Sequence, residues 1–173
     1  DTPDHVASVC VPIVADLAAR LKRGAVTPGN RCLMLYPMPA DIGCFWSPAA
    51  MGIGPWGFTT FHPILYYGRD FRAGRGALPS GTKMTEAAEK NGHPCPKPIG
   101  AWTWLLDKVS LPGETVIDPF CGSGTTLRAA LDTGRKAIGI EIDERYCEIA
   151  ARRLSQGAYY DITRFARTAV AVR

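Results

Sequence analysis

Residues 115–154 alternate in a way that few folds permit. Thr115 to Asp118 is a short β-branched, apolar run, and Pro119 to Gly124 is a turn holding two glycines. Thr125 to Leu131 then has helical character, Lys136 to Glu141 reads as a second strand, and Glu144 to Leu154 as a second helix. Such a βαβα unit makes its two strands parallel through a crossover helix and needs helices to cover the sheet. The expected fold is therefore α/β and Rossmann-like, with a mostly parallel sheet and helices on both faces.

The rest of the chain must fit around this unit. With 173 residues it has the length of one domain, and 46% hydrophobic against 21% charged residues is an ordinary globular mixture. No apolar run approaches the roughly 18 residues of a membrane span and no basic-then-apolar leader opens the sequence, so the expectation is a cytoplasmic protein without membrane contact. Six cysteines are scattered at positions 10, 32, 44, 95, 121 and 147, which reads as reduced thiols. His93 and Cys95 lack a second close pair to complete four ligands, so no metal is expected. A net charge of +4 permits a nucleic-acid partner without requiring one.

Upstream, Val11 to Leu21 has helical apolar spacing with Pro12 near its start, and Lys22, Arg23 and Gly24 supply a stop. Cys32 to Tyr36 reads as a short buried strand, and the Pro- and Gly-rich stretch from Pro37 to Pro55 as a long surface loop. Phe58 to Tyr67 suggests a strand in which Pro63 requires an edge or bulged position. Between Gly68 and Lys97 six cations face three anions, which marks a segment able to meet phosphates. Ile99 to Val109 is a helix with Pro98 at its first turn, ended by Pro112-Gly113, whereas the tail after Gln156 has no readable pattern.

The glycine turn points to a ligand. Without Cβ atoms, Gly122 and Gly124 let backbone N–H groups approach a bound group closely. Asp118 at the end of the first strand is unsuited to a pyrophosphate but suits a ligand bearing an ammonium group. Glu141 closes the second strand, where a carboxylate can accept ribose hydroxyls. The turn reads Gly-x-Gly-Thr-Thr, neither the Gly-x-Gly-x-x-Gly of dinucleotide enzymes nor the Gly-Lys-Ser/Thr ending of a phosphate loop. A nucleoside with an amino-acid tail, S-adenosylmethionine, fits best. NAD is disfavoured by Asp118 and the paired threonines. The bland readings are that Asp118 caps the turn and Glu141 is a solvated strand end.

These residues also carry a resemblance. Asp118-Pro119-Phe120-Cys121-Gly122-Ser123-Gly124-Thr125-Thr126 resembles the cofactor motif of DNA amino-methyltransferases, and Gly139-Ile140-Glu141-Ile142-Asp143 resembles their following acidic motif. His93 to Pro98 is similar to the segment that closes over the methionine end of the cofactor, and Trp56 to Gly68, with His62 and Tyr66, to a segment beside the target-base pocket. The catalytic half precedes the cofactor half, the order of the β class. The resemblance is strongest from Asn91 to Leu154. It implies transfer of methyl from S-adenosylmethionine to an exocyclic amine of adenine or cytosine in DNA, in a restriction-modification, phage or mobile-element setting. Lys97, Pro98 and Asp118 would frame the methionine end, Phe120 would wall the cofactor, Pro119, Gly122, Ser123, Gly124 and Thr125 would form the turn, and Glu141 would hold ribose. The implied organisation is one methyltransferase domain: 1–67 the remainder of the catalytic half, 68–92 a basic DNA-contacting loop, 93–156 the cofactor half and 157–173 a tail.

One part of the family pattern is missing. An exocyclic amine is a poor nucleophile until acceptors hold its hydrogens, and the family uses an Asp, Asn or Ser followed by Pro-Pro and an aromatic. The sequence has no Pro-Pro, and Ser47-Pro48-Ala49-Ala50 lacks both the second proline and the aromatic. The catalytic residues are left unassigned. Two expectations follow: a chain truncated before the first helix, its sheet incomplete and complemented by a partner or homodimer, or a degenerate relative that binds cofactor and DNA without catalysis.

Overall fold

The computed structural model describes residues 2–47, 52–69, 81–88, 92 and 94–155. Helix opens the chain as α1 (Pro3–His5), capped by the Thr2 hydroxyl, continues through a π-helical stretch at Val6–Cys10 and returns to α geometry in α2 (Val11–Arg20). Pro12 is the physical reason for the detour. Lying inside a continuous helical run, it cannot donate to the preceding turn, and the ladder shifts register so that the Val11 N–H reaches back five residues to the Val6 carbonyl.

The strands β1 (Arg23–Val26), β2 (Asp41–Trp46), β5 (Phe61–Gly68) and β6 (Thr82–Met84) form one sheet in the order β1-β5-β2-β6, while β3 (Gly52–Gly54) and β4 (Gly57–Thr59) form a separate hairpin. Then come α3 (Ile99–Val109), β7 (Thr115–Asp118), α4 (Thr125–Asp132), β8 (Lys136–Gly139) and α5 (Glu144–Ser155), with β7 and β8 paired parallel. The βαβα unit and the helix at Ile99–Val109 lie where the sequence places them.

Four expectations need correction. Cys32 to Tyr36 is a 3₁₀ turn at Leu33–Leu35 and not a strand. Leu33 and Tyr36, three apart and on one face of such a turn, pack onto Val14, Leu65 and Tyr67, while Met34 points to solvent. The stretch from Pro37 to Pro55, read as a loop, contains β2, which pairs with β5 along its whole length, and β3. The basic segment of residues 68–92 likewise includes β6, parallel to β2, whereas Arg72, Arg75 and Lys90 lie outside the described residues. Finally, the sheets are mixed rather than mostly parallel: β1·β5, β2·β5 and β3·β4 are antiparallel, β2·β6 and β7·β8 parallel. Pro63 is accommodated because β1 pairs β5 only from Leu65 onward, leaving Pro63 with β2 alone.

Alternation along β5 sends Ile64 and Leu65 to opposite faces. Ile64 joins Phe45, Ala101 and Leu105 under α3, and Leu65 joins Val14 and Tyr67 under α2, so this sheet is covered by helices on both sides. Phe45, Ile64 and Leu65 are fully buried, each contributing roughly 1.5–3 kcal/mol by transfer from water. Helix α3 also packs its other flank, Leu106, on Ala129 and Ala130 of α4, beside Val116 and Ala137. One helix thus belongs to both halves of the molecule. At its far end Arg23 of β1 donates to the Val109 carbonyl and pairs with Glu114 at 2.7 Å, tying the start of β1 to the start of β7.

Candidate functional site

The turn after β7 is built almost wholly from hydrogen bonds to backbone. Asp118 Oδ1 accepts from the Phe120 N–H at 3.0 Å, and Gly124 N–H donates to the Cys121 carbonyl at 2.8 Å. The next strand end is laced to it: Ile140 N–H donates to the Asp118 carbonyl (2.9 Å) and Cys121 N–H to the Ile140 carbonyl (3.0 Å). Glu141 completes the lacing, its Oε2 accepting from Gly122 N–H at 2.8 Å and its Oε1 from Ile142 and Asp143 N–H at 2.9 and 3.0 Å.

Two glycines are needed here for different reasons. Gly124 has φ of +78°, and a Cβ on it would come within 2.8 Å of the Ala150 Cβ of α5. Gly139 has ordinary backbone, but a Cβ there would stand 2.6 Å from Leu127 and 2.8 Å from the Cys121 sulfur. Gly139 is the first residue of the acidic motif that contains Glu141, and this packing gives a physical reason for a glycine at that place. Burial, with Asp118 and Glu141 nearby, pushes the Cys121 thiol up to about 11. It therefore packs as a neutral group and not as a nucleophile.

A cleft of about 1220 Å³ opens beside this turn. Lys97, Asp118, Pro119, Phe120, Gly122, Ser123, Thr125 and Glu141 all contribute to its wall, so the structure gathers eight of the ten sequence-selected residues. The other two stand behind it: Pro98 is buried at the N-cap of α3, and Gly124 faces α5. The cleft continues between β1 and β7, each of which has one edge unpaired among the described residues, with α2 and α3 lining its sides.

Lys97 is held 3.4 Å from the Cys95 sulfur and 5.9 Å from the Trp102 ring centroid. His62 sits half-buried, and burial first, then the Lys97 charge, lowers its imidazole from the usual histidine value. Burial pushes the Tyr66 hydroxyl up to about 12, helped by Asp41 and Cys44. Neither His62 nor Tyr66 lines the cleft. Asn91, His93 and Pro48 to Ala50 lie outside the described residues. Among the described residues no group of three or more His, Cys, Asp or Glu side chains could hold a metal ion, and no helix is long and apolar enough to cross a membrane.

Chemically, the site sets backbone N–H groups at the start of α4 against two carboxylates at neighbouring strand ends. That pattern suits a ligand carrying both charges and hydroxyls. A family model described as DNA methylase matches residues 60–152, which takes in β5, α3 and the whole turn. The chain belongs to the DNA methylase family. The DNA adenine methyltransferase YhdJ of Escherichia coli is 39% identical over 79 residues, covering 46% of this chain and 27% of that protein. The type II methyltransferase M2.LlaDCHI of Lactococcus lactis is 38% identical over 85 residues, covering 46% of this chain and 30% of that protein. The matched segments thus span less than a third of these relatives. Among solved structures, the M1.HpyAVI–SAM complex superposes with TM-score 0.59 at 20% identity over 83% of this chain and 68% of that one. The cytosine-N4-specific PvuII DNA methyltransferase gives TM-score 0.56 at 19% identity over 72% of this chain and 55% of that one. These two establish the shared α/β fold.

Proposed function

We propose that this chain binds S-adenosylmethionine in the cleft, with residues 93–156 as its cofactor half, and belongs to an enzyme that methylates an exocyclic amine of adenine or cytosine in DNA. The observation that carries the reading is the coupling of the two strand ends, in which Glu141 grips the Gly122 N–H while Asp118 stands at the mouth of the same turn. The adenine methyltransferase name of the Escherichia coli relative supports the amine as the target.

The residues fit this cofactor. Asp118 supplies a carboxylate for the ammonium of the methionine tail, and Glu141 has lone pairs left for ribose hydroxyls beyond its three backbone donors. Phe120, 43% exposed, offers an apolar wall, and Lys97 lines the same cleft. Bound S-adenosylmethionine supplies a methyl group activated by its sulfonium. The acceptors that hold the target amine are not among the residues assigned here. Contact of residues 68–90 with DNA phosphates and a cytoplasmic setting belong to the same proposal.

Calorimetry with S-adenosylhomocysteine and with NAD tests the cofactor. Saturable binding of the first and none of the second is expected, and NAD binding alone overturns the reading. Methylation of DNA by the intact gene product, with the modified base identified, tests the substrate, and methyl incorporation elsewhere than on a base amine overturns that part.

A further inference from the structure

We infer that Arg153, near the end of α5, is a positioning residue that sets the shape and charge of the turn between β7 and α4. Its Nη1 donates to the Ser123 carbonyl at 2.8 Å, to the Thr125 hydroxyl at 3.2 Å and to the Ser123 hydroxyl at 3.4 Å. Ser123 and Thr125 are both buried, so this cation satisfies polar groups that solvent does not reach. The backbone carbonyl of Arg153 in turn accepts from Arg128 Nη1 at 3.1 Å, and Arg128 pairs with Asp132 at the end of α4. One turn of α5 is thereby fastened to both ends of α4. Between those fastenings Ala150 fills the space that Gly124 leaves open.

The turn is gripped from two sides. Glu141 holds the Gly122 N–H from the strand side, and Arg153 holds the Ser123 carbonyl from the helix side. A cation at the N-terminus of α4 opposes the helix dipole and does not help the helix as a helix. Its charge adds to the positive potential that an anionic group meets at the turn. This sign is favourable for binding and unfavourable for α4 alone, which separates a positioning role from plain packing. The inference rests on the reading that this turn receives S-adenosylmethionine.

Three variants of the full chain, Arg153→Met, Arg153→Lys and Thr125→Val, test it through S-adenosylhomocysteine affinity, hydrogen exchange of the 122–125 amides in ligand-free protein, and thermal melting. Arg153→Met should weaken S-adenosylhomocysteine by about tenfold, the scale of one charge-assisted hydrogen bond, and speed exchange at those amides while α3 amides stay as they were. Arg153→Lys keeps the charge without the fork and should recover part of both losses. A lowered melting temperature with wild-type affinity and wild-type local exchange in Arg153→Met overturns the inference. If Arg153→Met does not fold, Arg153→Lys and Thr125→Val carry the test: several-fold weakening in each is expected from the lost bonds, and wild-type affinity in both overturns it. If the unaltered protein binds no S-adenosylhomocysteine, the cofactor reading fails while the exchange measurement still decides the positioning role, unchanged exchange overturning it.

Discussion

The two halves of the molecule are held together by different physics. From Thr115 to Ser155 the chain makes a strand, a turn, a helix, a strand and a helix, and its decisive contacts are hydrogen bonds from backbone amides to Asp118 and Glu141. From Arg23 to Met84 the strands are pinned by side-chain burial, with Phe45, Ile64 and Leu65 at the centre and ladders that join positions far apart in sequence. A polar turn can be rearranged by one substitution without emptying a core. A packed sheet cannot lose its central side chain so lightly.

The largest effect should therefore come from Phe45→Ala. Phe45 is 1% exposed, stacks on Trp102 with ring centroids 5.2 Å apart and also meets Trp104, so its removal opens a cavity between β2 and α3. A loss of about 3–5 kcal/mol is expected in urea unfolding. Amide exchange should rise first in β2 and β5 and least in β7 and β8. A uniform rise would mean that the halves unfold as one and that the contrast drawn above is wrong.

Gly124→Ala comes next, because it imposes both a strained φ and a contact with Ala150 backed by the α5 backbone. We expect about 2–4 kcal/mol, the sum of a left-handed penalty and overpacking, with loss of S-adenosylhomocysteine binding. Gly134→Ala is the control. It has φ of +72° but open space around its Cβ position, so only the backbone penalty of about 1–2 kcal/mol should appear. Equal losses from the two variants would remove α5 from the account of the turn.

The same contrast explains what could be read from the sequence. The βαβα unit was legible because its signals are local: Asp118 and Glu141 sit at strand ends, and the glycines mark the turn between them. Helix α3 was legible from the spacing of Leu105 and Leu106 after Pro98. Strand β2 was not, because Gly43 and the surrounding prolines look like loop. In the folded chain Gly43 is required by its partners, since a Cβ there would run into the Gly81 carbonyl and the Tyr66 ring. Nothing near position 43 announces Gly81 or Tyr66. Leu33 and Tyr36 mislead for a related reason, as an apolar run of five fits a 3₁₀ turn as well as a strand until its covering surface is known. Arg153 gave no signal either, being one of two adjacent arginines late in an amphipathic helix.

Glu141→Ala tests the polar half directly. It leaves the N–H groups of Gly122, Ile142 and Asp143 without their acceptor, for an expected cost of about 1–3 kcal/mol in stability and a comparable weakening of S-adenosylhomocysteine. Glu141→Gln keeps one acceptor oxygen and should fall between. If affinity falls in Glu141→Ala while exchange of the Gly122 amide does not change, the residue acts on the ligand alone and the lacing of the two strand ends is dispensable.

The smallest effect concerns the join between the halves. The Leu111 N–H, and after it the Arg23 guanidinium, hold the Glu114 carboxyl below the usual glutamate range. A group whose folded value is depressed stabilises the fold above its unfolded value, and that contribution is lost as pH falls through the folded one. Glu114→Gln can still accept from Leu111, so it removes chiefly the charge facing Arg23. With the Glu114 side chain 38% exposed, solvent screening reduces the expected loss to about 0.5–1 kcal/mol at neutral pH. The gap between variant and unaltered protein should close as pH drops below the glutamate range, and shrink in high salt. A gap that stays constant down to acid pH would assign the effect to packing at the start of β7 and leave α3, through Leu105 and Leu106, as the main connection between the two halves.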